Sequence, residues 1–124
     1  MATDPGFWSI TVEISNASGQ DLLLDPANTI PPMSWIGDPP EWGSTLQENA
    51  SVTIGAQVET PQTGVTLFLG YRNGQQVPVT ISAGSGPGTQ NGCAVERGSA
   101  TTGTVTQLQG DPQHLQFAVR LAPV

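Results

Sequence analysis

The chain contains no lysine at all. Only Arg72, Arg97 and Arg120 stand against ten carboxylates, and the formal net charge is −7. Binding a phosphate backbone releases counterions only where several cations share one face, so nucleic acid is not an expected partner. The same shortage excludes polybasic attraction to an anionic leaflet. Any membrane contact must therefore rest on apolar or aromatic groups, or on a net-neutral headgroup. Cysteine is reduced to Cys93, which excludes an internal disulfide, and with no His or Lys near it the thiol is expected to be buried and structural. Histidine is also single. His114 lies on the polar phase of its segment and reads as a surface residue rather than a general base. One His and one distant Cys match no zinc spacing. The carboxylates are scattered: Asp38 and Glu41 share a loop, and Asp21 and Asp25 flank a short strand. The expectation is a binding protein that is not an enzyme, with no cofactor and no metal.

Long hydrophobic runs are missing too. No stretch approaches the roughly 20 apolar residues of a transmembrane helix. Residues 1 to 10 lack both the basic start and the apolar run of a signal peptide, so synthesis in the cytoplasm without a leader is expected. On that expectation the sequons Asn16-Ala-Ser18 and Asn49-Ala-Ser51 read as chance matches.

What the chain has is alternation. Trp8, Ile10, Val12 and Ile14 share one phase, and Ser9, Thr11, Glu13 and Ser15 the other, as in a half-buried strand. Asn16 to Gly19 reads as a turn, followed by a short returning strand through Leu22 and Leu24. Alternation resumes at Val52, Ile54, Ala56 and Val58. It returns in an expected hairpin, Val65 to Tyr71 and Val77 to Ile81, around Asn73-Gly74, a dipeptide suited to a type I′ turn. Pro78 suggests that the second arm lies at a sheet edge. Residues 83 to 92 form a glycine-rich loop that lacks the Lys-Ser/Thr of a phosphate-binding loop. Weaker strands are expected near Cys93 to Val95 and Thr104 to Leu108. A turn at residues 110–113 leads to a last strand with Leu115, Phe117, Val119 and Leu121 inward. The 15 glycines and 11 prolines are spread as turn punctuation. The length suits one domain, residues 1–124. These signals predict an all-β fold, a single antiparallel β-sandwich of about seven to eight short strands, with a small barrel as the rival.

The aromatic residues carry the functional signal. Residues 26–44 hold five prolines together with Trp35 and Trp42. Met33, Trp35, Ile36 and Trp42 either plug one end of the sandwich or form an exposed patch for a membrane or a partner protein. Tyr71, beside the hairpin turn, joins this candidate contact set. Trp8 is in phase with Ile10 and Val12 and is expected in the core.

The order of these features resembles the aegerolysin family, small acidic β-sandwich proteins, and in particular the bacterial branch that supplies the small component of binary insecticidal toxins. The opening WSITVEISNASGQDLLL is similar to that family's first hairpin. SWI at 34–36 falls where members carry a Trp after the second strand. TGVTLFLGYRNGQQVPVTISAGSGPGTQNG resembles the central strands, and QHLQFAVRL the terminal one. The tryptophan- and cysteine-bearing loop of fungal members is replaced here by AGSGPGTQNGC, so their lipid specificity does not carry over. The resemblance implies a cytolysin component that binds a membrane lipid, with a net-neutral or sphingolipid headgroup favoured by the charge. It also implies action outside the cell with a larger pore-forming protein partner. A carbohydrate-binding module or lectin is the alternative from another class.

Overall fold

Rows of β-branched and leucine side chains on alternate positions leave water only by facing a second such row. The chain achieves this with two five-stranded sheets packed as an all-β sandwich. The computed structural model describes residues 8–30, 32, 34–36, 43–74, 77–89, 91–109 and 113–124. In the first sheet β1 (Trp8–Asn16) is central, between β5 (Ser51–Val58) and β10 (His114–Pro123). Its edges are β3 (Trp35–Ile36) and β9 (Thr101–Gln109). In the second sheet β6 (Val65–Arg72) lies between β2 (Leu22–Leu24) and β7 (Val79–Ser85), with β4 (Thr45–Leu46) and β8 (Gly92–Glu96) outermost. The core forms where Ile10, Val12 and Ile14 of β1 and the Leu115 to Leu121 row of β10 meet Val65, Leu67 and Leu69 of β6. The phases expected for β1, β5, β6 and β10 are those observed, because a one-residue slip would turn each apolar row to water.

Several expectations need correction. There are ten strands among the described residues rather than seven to eight, since β3 and β4 are two residues each and too short to show a period. The sandwich is not wholly antiparallel. β1 and β10 run parallel, Ser9 opposite His114 through Asn16 opposite Leu121, with the rest of the chain acting as the crossover. β2 does not return along β1; it crosses to the other sheet and pairs with β4 and β6. The hairpin of β6 and β7 is real, but its last pair is Tyr71 with Val79. Of the Asn73-Gly74 pair only Gly74 has positive φ, at 57°, so no type I′ turn forms. On its β2 side Arg72 still pairs with Leu23, but on the β7 side the next position is Pro78, which has no N–H to give. β7 is not an edge strand but is flanked by β6 and β8, with Pro78 just outside it. Residues 110–112 of the expected last turn lie outside the described residues.

The crossing from one sheet to the other turns on Asn16, which is 1% exposed. Its Nδ2 donates to Gln20 O at 2.8 Å and to Leu46 O at 2.9 Å. Its Oδ1 accepts from Ser18 N at 3.1 Å and Ser18 Oγ at 2.6 Å, an Asx-turn that bends the chain out of β1. Its backbone N–H donates to Ala50 O at 2.9 Å, and its carbonyl accepts from Asn49 N at 2.7 Å. One buried amide thus ties the end of β1 to the entry of β2, to β4 and to the turn before β5. The sequon at this position is structural, because the nitrogen that would carry a glycan is spent inside. Asn16→Ala should cost about 3 kcal/mol, several hydrogen bonds together with the carbonyls and hydroxyl left unpaired. Denaturant melts of this variant beside Gln47→Ala, whose side chain is exposed, measure the difference.

Candidate functional site

Periodicity fails in residues 25–36, where the chain passes from the second sheet to the edge of the first. Asp25, buried at the start, accepts from Asn28 Nδ2 at 2.6 Å, from Ala27 N at 3.0 Å and from Arg72 Nη1 at 3.1 Å. It thereby caps the 3₁₀ turn Pro26–Asn28. The Asn28 hydrogen bond is the main reason its carboxyl lies below the ordinary value. The Ala27 N–H and the Arg72 guanidinium act in the same direction, against the cost of burial. Thr29 Oγ1 accepts from Gly70 N at 3.0 Å and Ile30 N donates to Phe68 O at 2.9 Å, lacing the segment to β6.

That lacing leaves Ile30 64% exposed, opposite Phe68. Since Leu67 and Leu69 point into the core, Phe68 points outward and stays half-buried. The row continues in register across Ser82 and Ala94, and Thr66, Gly84 and Gly92 form the row beside it. Beside Phe68 lies a shallow crevice of about 410 Å³, lined by Thr66, Ser82, Gly84, Gly92, Cys93 and Ala94 with Gly88, Thr89 and Asn91. Its described lining is hydroxyl, amide and small-residue backbone, with no charged side chain. Asn91 Oδ1 accepts from Gly86 N at 2.7 Å and Thr89 Oγ1 donates to Gly86 O at 2.8 Å, which fixes the loop at the end of the crevice.

The other side of that loop rests on Trp8. A Cβ at Gly86 would come within 2.6 Å of Trp8 Cδ2, and the residue has φ of 98°. Trp8 Nε1 donates to Pro61 O at 3.0 Å, and Gly64 N to Pro87 O at 2.8 Å. Pro61 and Gly64 on one side and Gly86 and Pro87 on the other are thus held around one indole at the rim, packed against the core as expected but only half-buried.

Of the residues singled out by sequence, the structure brings Trp35 and Ile36 together on β3. Trp35 pairs with buried Ala56 and packs against the core, with part of the indole open. Ile36 lies over Gly55, where an added Cβ would meet it at 3.1 Å. Met33 and Trp42 lie outside the described residues. Tyr71 must be removed from the contact set. It is 3% exposed, in phase with Leu67 and Leu69, and burial pushes its phenol up to about 12. Cys93 is half-buried against the core, and burial pushes its thiol up to about 11, away from the reactive thiolate. His114 Nδ1 lies 2.9 Å from Ser9 Oγ, and Ser9 is buried. Ile30, Phe68 and the crevice were missed by sequence reading. Ile30 alone had a signal, an apolar residue outside any alternating row.

No protein-family model matches the chain, and a search of curated proteins finds no match. Among solved structures, the crystal structure of IP-1A from Alcaligenes faecalis is similar, with a TM-score of 0.59 at 9% identity. The likeness covers 96% of this chain and 94% of that one, and at such low identity it shows a shared fold alone.

Two measurements test the anchors. Gly86→Ala should destabilise by about 1–3 kcal/mol and shift tryptophan emission, since it strains the backbone and displaces the indole. Gly88→Ala, with φ of 80° but nothing within 4 Å, should show the strain without the emission change. For Asp25 the folded pKa is depressed, so its stabilisation is present above the ordinary value of 3.8 and is lost as pH falls through the lower folded value. Asp25→Asn should therefore be less stable than wild type at neutral pH, and urea melts at progressively lower pH should converge.

Proposed function

We propose that this chain is an aegerolysin-like recognition component. It docks on a membrane surface through uncharged headgroups, outside the cell that makes it, and acts with a larger pore-forming protein. The observation that carries the reading is the charge-free crevice beside exposed Ile30 and half-exposed Phe68, in a chain of net charge −7. Such a lining offers no ionic partner to a charged ligand, whereas hydroxyls and backbone amides suit the hydroxyl and amide groups of a sphingolipid or other net-neutral headgroup. Ile30, Phe68, Trp35 and Ile36 add apolar surface for shallow contact, at about 25 cal/mol per Å² buried. The family resemblance of the sequence supports the division of labour, and the sandwich fold agrees with it. No helix among the described residues is long and apolar enough to cross a membrane, and the proposal assigns the pore to the partner.

Vesicle flotation tests the reading, with phosphatidylcholine vesicles carrying sphingomyelin or a neutral glycolipid. Ile30→Ser and Thr66→Arg, both at exposed positions, should each weaken binding about tenfold, or about 1.4 kcal/mol, without changing the melting temperature. A wild-type protein that floats with none of these vesicles would sink the membrane reading. Binding to free oligosaccharides alone would replace it with a carbohydrate-binding module.

A further inference from the structure

We propose that the folded chain is closed to trypsin-like proteases, and that Gly98 is the latch closing the one bond those enzymes would otherwise reach. Such enzymes seat a lysine or arginine in a negatively charged pocket and need the main chain on either side of it laid out in their cleft. This chain gives them few starting points. It has no lysine, and its three arginines all lie among the described residues.

Two of the arginines are held by the sheets. Arg120 is exposed, but its backbone pairs with Ser15 of β1 on one side and Thr104 of β9 on the other. Leu121, which follows it, is fully buried. A protease reaches that bond only after both ladders have opened. Arg72 ends β6, where its backbone pairs with Leu23 and its guanidinium lies 3.1 Å from the Asp25 carboxylate. That cation is taken up by the protein rather than offered to a pocket.

Arg97 differs. It is exposed and lies between β8 and β9, followed by Gly98, Ser99 and Ala100, small residues of the kind at which loops are nicked. The side chain is within reach of a protease, but the bond after it is not. Gly98 is buried, and its N–H donates to Thr101 O at 2.8 Å. It lies so close to Val77 that an added Cβ would run into that residue's carbonyl. Gly98 has no positive φ, so the position requires the missing side chain rather than an unusual backbone. Val124 N donates to Ala100 O at 3.1 Å and holds the far side of the loop to the chain end beyond β10. The bond that composition leaves as the most accessible is thus the one the tertiary structure fastens. A chain closed in this way persists in fluids that contain such proteases, whatever it binds there. The inference is independent of the target reading above.

Trypsin digestion of the native whole chain, followed by mass spectrometry, tests it. Wild type should stay intact under conditions in which a urea-unfolded sample is cut at all three arginines. Arg97→Gln should be lost no more slowly than wild type, because digestion of the native protein then runs through global opening. Gly98→Ala should keep a cooperative melt yet be cut after residue 97 about tenfold faster, since the methyl group pushes the loop off Val77 and raises the population of the open form. Gln62→Arg places an arginine in a run of five exposed residues, 59–63, and should be cut in the native state. That cut separates a latched bond from a fold that is rigid everywhere. Native wild type that is nicked after Arg97 faster than the Arg97→Gln variant is lost overturns the proposal. A folded Gly98→Ala that is no easier to cut, or a Gln62→Arg as resistant as wild type, overturns it as well.

Discussion

The architecture depends on the buried amide of Asn16. A sandwich needs the chain to leave one sheet and enter the other without abandoning backbone polar groups in the interior. At the end of β1 this is solved by one side chain that uses both its donors and its acceptor, while its backbone pairs with residues 49 and 50. Ala17 N donates to Leu121 O at 2.7 Å, so the same corner also holds the end of β10. First and last strands, the crossover and β4 are therefore referred to one residue.

The opposite rim is organised differently. There Trp8 acts as a post around which two loops close, and glycine at position 86 lets the backbone lie directly on the indole. The crevice outside that loop inherits its position from β6, β7 and β8, which form a rigid floor. Loops set on a rigid scaffold are the usual place for recognition. The segment from Asp25 to Ile30 reaches the same face from the side, fixed by an ion pair and a capped 3₁₀ turn. Asp25 and Arg72 thus serve the proposed contact surface only indirectly, through where they set Ile30.

Charge ties these parts together. A chain with three arginines and no lysine has few cations to place, and one of them is committed to Asp25. The described lining of the crevice is Thr, Ser, Asn, Cys, Gly and Ala, with no charged side chain. Against a negative background, such neutral regions are where another molecule approaches without ionic cost.

By itself the sequence determined the fold class, the phase of the long strands and the buried rows of β1, β5, β6 and β10, because period-two alternation is a local property of the chain. It also marked residues 26–44 as a break in the alternation, since proline removes ladder donors wherever it occurs. Only the tertiary structure decided which strands are neighbours. The parallel pairing of β1 with β10 joins residues at opposite ends of the sequence, and no local pattern encodes it. The same holds for the crevice, whose floor is assembled from three strands in register, whereas the inward phase of Tyr71 was already given by its step with Val65, Leu67 and Leu69.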